Sequence, residues 1–398
     1  MTATARALQP FGTTIFTTMT RLAVEHGAVN LAQGFPDFEG PAFIKDAAAR
    51  AMRDEHNQYA PMPGLPALRK AIARRSATLM GRAIDSDAEV TVTAGCTEAI
   101  AAAIFGLCNP GDEVVLFEPF YDSYRACVAM AGATARFVAL RPRGPGAFGS
   151  GAFGFDPDEL RAALGPRTRA VLVNSPHNPT GKVFDAAELG LIAECCRGHN
   201  AIAIADEVYE RLVFDPARTP HVPIATLPGM MERTVSLSSV GKTFSLTGWK
   251  IGWAVAPPDL TAAVQAAHQF LTFAVATPLQ WGAAAALERE GECVAPLVAD
   301  LSARRDELAG ALADLGFVVH PPDGTYFILA DHSAVSRRLG VEGDAALCRA
   351  LIERAKVAAI PPSVFYDRPD LGRSLVRFAF CKRAETIREA VARLRSLA

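Results

Sequence analysis

Seven short apolar runs, at residues 89–93, 113–117, 135–140, 169–174, 201–205, 234–238 and 251–256, punctuate the middle of the chain. Helix-length stretches such as 97–107, 121–131 and 186–198 separate several of them. Runs that are apolar almost throughout, rather than at every second position, are buried on both faces, and the helices between them supply the cover. The pattern predicts an α/β fold built on a mainly parallel sheet. Such sheets take ligands at the carboxyl ends of their strands, so chemistry is expected in the loops that follow these runs.

From about residue 278 the pattern changes. Long helix-like stretches at 279–290 and 298–315 lead into short runs at 317–320, 325–330 and 374–379. A smaller α+β unit is expected there, with the first forty residues, too irregular to stand alone, packed on it. A chain of 398 residues suits two domains, or one large α/β unit with a companion. Half of the residues are hydrophobic and 21% are charged, which supplies a large core and excludes a disordered chain.

Forty Lys and Arg against 42 Asp and Glu leave a formal charge of −2, so no chain-wide basic field gathers nucleic acid or anionic membrane. Nowhere do about 18 apolar residues follow one another, and the N-terminus carries no run of signal-peptide character. The cysteines at 96, 108, 127, 195, 196, 293, 348 and 381 form no C-x-x-C pair and no His–Cys cluster at metal spacing. They fit free thiols in a reducing compartment. The expectation is a soluble cytoplasmic protein without a metal. Residues 141–155 (RPRGPGAFGSGAFGF) are rich in Gly and Pro, but no strand feeds them and no helix cap follows in frame. They read as a mobile surface loop rather than a phosphate cradle.

The segment most dense in chemistry is 238–253, SSVGKTFSLTGWKIGW. Lys242 follows an apolar run, a small-residue turn and Gly241, with hydroxyls on both sides and a second cation at Lys250. A partly desolvated amine near another cation has a lowered pKa, which is what a Schiff-base lysine needs. Three further features stand out. Asp206 ends the run 201–205, where an unpaired carboxylate is costly to bury. The residues Ala94, Gly95, Cys96 and Thr97 join a strand to a helix, whose N-terminus attracts an anion. Arg377 lies in the apolar run 375–380, where a guanidinium calls for a bidentate carboxylate partner.

With these features in place, the chain resembles the class I/II aminotransferases of pyridoxal phosphate (PLP) fold-type I, the aspartate aminotransferase superfamily. The landmarks run in the family's order. They are NLAQGFPDF at 30–38, NQYAPMPGLPALR at 57–69, TAGCTEA at 93–99, NSPHNPTG at 174–181, DEVY at 206–209, the lysine segment, and Arg377 in LVRFAF. HQFLTF at 268–273 and IPPSVF at 360–365 are similar to stretches of bacterial methionine aminotransferases and of the kynurenine aminotransferase/glutamine transaminase K group. The resemblance implies a large domain over residues 40–280 with a mainly parallel seven-stranded sheet between helices. It implies a small α+β domain from 1–39 and 281–398, and a homodimer with shared active sites.

The resemblance also implies roles. Lys242 holds pyridoxal 5′-phosphate covalently and then moves a proton between substrate Cα and cofactor. Asp206 keeps the pyridine nitrogen protonated; Tyr209 and Asn178 reach the ring hydroxyl, and Asn178 also faces the substrate carboxylate. Cys96, Thr97, Ser239 and Lys250 form the phosphate cup, with no chemistry for the Cys96 thiol. Tyr121 stacks on the ring, and Tyr59 reaches the phosphate of the neighbouring subunit. Arg377, helped by the Gly34 N–H, takes the substrate α-carboxylate. Phe16 and Phe273, with Tyr326 or Phe365, line the side-chain pocket.

The expected activity is ping-pong transfer of an amino group between an L-amino acid and a 2-oxo acid. Residues 268–277 (HQFLTFAVAT) contain no Arg or Lys, whereas dicarboxylate-selective relatives carry a cation on this wall. Methionine, aromatic or branched apolar donors are therefore favoured over Asp or Glu. Ala274 stands where kynurenine-type relatives place a His, which argues against kynurenine. Three other readings share the motifs: β-elimination from cysteine S-conjugates, kynurenine/glutamine transamination, and the succinyldiaminopimelate aminotransferase step. A non-enzymatic PLP-binding regulator is disfavoured, because the family pattern starts by about residue 10 and leaves no room for a DNA-binding domain.

Overall fold

A computed structural model of the chain describes residues 4–144 and 148–397. Helix α1 (Ile15–Glu25) opens on Thr14, whose side chain accepts the N–H of Thr17. It is followed by α2 (Ala42–Arg53) and α3 (Pro66–Met80). Strands and helices then alternate: β1 (Val90–Thr93), α4 (Gly95–Leu107), β2 (Glu113–Glu118), α5 (Asp122–Met130), β3 (Thr134–Ala139), β4 (Thr168–Asn174), α6 (Ala186–Gly198) and β5 (Ile202–Asp206). Next come β6 (Thr234–Ser239), β7 (Gly252–Val255), α7 (Pro258–Leu271), α8 (Thr277–Glu288), α9 (Glu290–Asp314), β8 (Val318–His320), β9 (Phe327–Asp331) and β10 (Leu375–Ala379).

The seven runs expected from the sequence are the seven strands of one sheet, in the order β1-β7-β6-β5-β4-β2-β3. Only β7 runs antiparallel to its neighbours β1 and β6; the rest pair in parallel. Both faces are covered. Val114 and Leu116 of β2 pack with Ala99, Ala103 and Ile104 of α4 on one side. Val115 and Phe117 pack with Phe184, Leu189 and Ile192 on the other. Because β7 reverses direction, β1, β6, β5, β4 and β2 all point the same way. Their carboxyl ends, at Thr93, Ser239, Asp206, Asn174 and Glu118, lie along one edge of the sheet.

The smaller sheet has the order β8-β9-β10, antiparallel throughout. Its core joins Leu308, Leu312, Phe378 and Leu394 to Met19 and Ala23 of α1. Val29–Asn30 pairs in parallel with Val357–Ala358, tying the two ends of the chain together. The first forty residues are less irregular than expected, since α1 forms there. Its threonines at 17, 18 and 20 are weak helix formers, and burial of Met19 and Ala23 supplies what propensity lacks.

The Gly/Pro-rich segment also departs from expectation. Arg141–Pro142 pairs antiparallel with Phe153–Gly154, and Phe153 and Phe155 are buried in the large core. The Ser150 carbonyl accepts a hydrogen bond from the buried Lys182 Nζ at 2.7 Å. Aromatic burial thus holds 153–155 in the core, while the described residues 141–144 and 148–152 are half-buried or exposed; residues 145–147 lie outside the described residues. All eight cysteines are free. No helix among the described residues is long and apolar enough to cross a membrane.

Candidate active site

Strand β6 ends at Ser239, whose hydroxyl accepts the Gly241 N–H at 3.2 Å and starts the one-turn helix Val240–Thr243. That turn carries Lys242 away from the sheet edge. Its Nζ meets the Gly34 carbonyl at 3.4 Å and lies 5.6 and 5.5 Å from the ring centres of Tyr209 and Tyr326. Burial among these rings pulls its pKa down to about 8, against the opposing pull of Cys381 and Asp206. A neutral, nucleophilic amine is therefore accessible near physiological pH. The Gly34 carbonyl also accepts the Tyr326 hydroxyl at 2.7 Å. A Cβ at Gly34 would sit 2.5 Å from the Phe327 ring, so only glycine brings this carbonyl so close.

Asp206, at the end of β5, is buried and carries three donors. Its Oδ1 accepts the Val208 N–H at 3.2 Å and the Cys96 thiol at 3.4 Å, and its Oδ2 accepts the Tyr124 hydroxyl at 2.5 Å. A carboxylate offers about four acceptor positions, so one Oδ2 position is left for a further donor. Burial raises the Asp206 pKa, while Tyr124, the Val208 N–H and Cys96 pull it back. The Asn174 side chain donates to the Asp206 carbonyl at 2.8 Å and accepts the Asn178 N–H at 2.7 Å, which fixes β5 against the loop after β4.

Two of these contacts were not foreseen. The sequence suggests no partner for the Cys96 thiol, which the structure sets 3.4 Å from Asp206 Oδ1. Tyr124 went unnoticed although it lies one helical turn from Tyr121, on the same side of α5.

At the other end of the cavity, the first turn of α4 presents Gly95, Cys96 and Thr97, whose N–H groups have no partner within the helix. Lys250, in a left-handed conformation at φ 54°, donates from Nζ to the Thr97 hydroxyl at 3.3 Å. A Cβ at Gly252 would lie 2.6 Å from the Cys96 nitrogen, so glycine is required where β7 abuts the cradle. Thr97, Tyr121, Asn178, Asp206, Tyr209, Ser239, Lys242 and Lys250 all line this one cavity. The set offers anion donors, an amine able to capture an aldehyde, and an acceptor for a protonated ring nitrogen. It fits pyridoxal phosphate.

Arg377, in β10, is 2% exposed. It donates to the Ala32 carbonyl at 2.9 Å and to the Asn178 Oδ1 at 3.2 Å, and its Nε has no partner. Its guanidinium lies 4.3 Å from the ring centre of Phe327 and 5.4 Å from those of Phe16 and Phe365. Among the described residues no carboxylate pairs with it. Burial lowers its pKa to about 10, which leaves it charged at neutral pH. A buried cation with neutral partners and unused N–H donors, Nε among them, is ready for an anionic ligand.

Tyr59 and Phe273 stand apart. Their rings meet edge to face at 5.4 Å, but Tyr59 is 83% exposed and neither residue lines the cavity of its own chain.

The family described as "Aminotransferase class I and II" matches residues 27–394. A probable N-succinyldiaminopimelate aminotransferase of Mycobacterium tuberculosis is 49% identical over 403 residues, covering 99% of this chain and 98% of that protein. A methionine aminotransferase of Escherichia coli is 42% identical over 390 residues, covering 98% of this chain and 97% of that protein. The solved structure of an N-succinyldiaminopimelate aminotransferase from Mycobacterium tuberculosis superimposes with a TM-score of 0.93 at 50% identity, covering 100% of both chains.

Proposed function

The chain belongs to the class I and II aminotransferases and is an enzyme of that kind, and from this membership we propose that it uses pyridoxal phosphate to move amino groups from apolar L-amino acids to 2-oxo acids. Bound pyridoxal phosphate supplies the electron sink that lets a substrate lose its Cα proton. The observation that carries the reading is the convergence of Lys242, with its lowered pKa, and Asp206, with one free acceptor position, on a single cavity.

The proposed roles are those that the family resemblance implies, and the shared cavity supports them. Lys242 would hold the cofactor aldehyde through its amine, and the same amine would move the Cα proton. Asp206 would hold the pyridine nitrogen, and its carboxylate would favour that nitrogen's protonated form. Tyr209 and Asn178 hold the ring hydroxyl, and Tyr121 packs on the ring. Cys96, Thr97, Ser239 and Lys250 hold the phosphate. Arg377 and Asn178 take the α-carboxylate, beside an apolar wall from Phe16 and Phe365.

The working form is a cytoplasmic homodimer, in which Tyr59 and Phe273 complete the site of the neighbouring subunit. Their surface position, next to Phe270 at 90% exposed, supports this assignment.

Methionine and other apolar donors are favoured by the absence of Arg and Lys from residues 268–277. A second reading, transamination of a succinylated diamino acid, is favoured by the Mycobacterium tuberculosis relative at 49% identity. Single-turnover absorbance of the cofactor-loaded enzyme decides between them. The panel is methionine, phenylalanine, leucine, glutamine, kynurenine, glutamate and N-succinyl-diaminopimelate. Conversion fastest with the apolar members supports the first reading; conversion fastest with the succinylated substrate overturns it.

A further inference from the structure

Glu98 caps the helix end proposed to hold the phosphate. Its Oε2 accepts the Ala94 N–H at 2.5 Å, immediately before the first turn of α4. A carboxylate is favourable at a helix N-terminus, but it repels any second anion brought there. Its other oxygen, Oε1, lies 2.6 Å from Nδ1 of His268, a fully buried residue on α7. The opposite nitrogen of His268 lies 3.1 Å from the Met62 carbonyl. A carbonyl only accepts, so Nε2 carries a proton. A further proton is then shared between Nδ1 and Oε1, and the Glu98–His268 pair as a whole is neutral.

The same stretch of chain holds the loop that carries Tyr59. Thr277 donates to the Gln58 carbonyl at 2.6 Å, and Gln280 accepts the Leu65 N–H at 2.8 Å. His268 thus sits where three segments meet: the helix end at 94–98, the loop at 58–65 and the wall at 268–280.

We propose that His268 is a positioning residue that cancels the charge of Glu98, so that one helix end holds a side-chain carboxylate cap and the cofactor phosphate together. The proposal rests on the phosphate assignment above. It carries a sign that a purely structural role does not. Removing His268 alone leaves an uncompensated carboxylate behind the phosphate, and removing the carboxylate as well relieves it.

The test is the dissociation constant of pyridoxal phosphate from the reconstituted full chain, with the 31P resonance of the bound phosphate as a second readout. His268→Gln is expected to weaken binding roughly tenfold, and Glu98→Gln added to it to restore affinity to within about threefold of wild type. The 31P resonance is expected to shift in the single variant and to return in the double one. A double variant as weak as His268→Gln, or a single variant as tight as wild type, overturns the proposal. Should His268→Gln not fold, Glu98→Gln decides: it keeps the cap acceptor and removes the charge, so binding no weaker than wild type is expected and a tenfold loss overturns. Wild-type protein that takes up no pyridoxal phosphate overturns the site assignment itself, whereas loading with the wrong order of affinities overturns only the role of His268.

Discussion

The hydroxyl of Tyr124 donates to Oδ2 of Asp206 at 2.5 Å, joining α5 to the end of β5 across 82 residues of sequence. This bond favours the charged form of a carboxylate whose burial opposes charge. Tyr124→Phe removes it without removing the ring. The Asp206 pKa then rises, so the acid limb of a kcat–pH profile should move to higher pH, by about one unit, with kcat falling roughly tenfold. An unmoved acid limb would sever Tyr124 from the chemistry.

The depressed pKa of Lys242 makes a prediction for the protein stripped of cofactor. Only the neutral amine attacks an aldehyde, so uptake of pyridoxal phosphate should rise about tenfold per pH unit from below and level off above about pH 8. An ordinary lysine would keep accelerating past pH 10. Stopped-flow absorbance across this range distinguishes the two curves. In Lys242→Ala, borohydride should fix no cofactor to the chain and transamination should fall by at least about 10⁴.

Arg377 is expected to act on every α-amino acid alike. Its donors face a group common to all of them, while the rings around it are shared with the side-chain pocket. Arg377→Ala should lower kcat/KM by about 10²–10³, carried mostly in KM, for methionine and phenylalanine equally. A loss confined to one donor contradicts carboxylate binding.

Lys182 and Glu188 form a fully buried ion pair at 2.8 Å between the loop after β4 and the capping turn of α6. Burial pushes the lysine pKa down and the glutamate pKa up. Lys182→Met strands the carboxylate and should cost about 3–5 kcal/mol, read as a lower urea midpoint. Lys182→Met combined with Glu188→Leu should recover most of that loss. If the double variant is as unstable as the single, the pair itself stabilises the fold.

Much of this was legible along the chain because it is local. The strands of the large sheet announce themselves as apolar runs, since burial on both faces removes the need for alternation. Lys242, Asp206 and Arg377 stand out because a charged group in or beside an apolar strand is costly unless something pairs with it. Motif order carried the roles that spacing alone left open. The helix at Ile15–Glu25 and the strand pairing within 141–155 have little local signal, because turn-forming and β-branched residues there are held by tertiary burial rather than by their own propensities.

What the sequence determined by itself was the layered fold, the family and the candidate lysine, Lys242. The tertiary structure alone decided what tunes them. Cys96 meets Asp206 across 110 residues and His268 meets Glu98 across 170. Such contacts depend on strand order and on how α7 lies against α4, and no local pattern encodes either. A side chain declares its chemistry one residue at a time, but its pKa and its partners are set by which distant segment the sheet brings alongside.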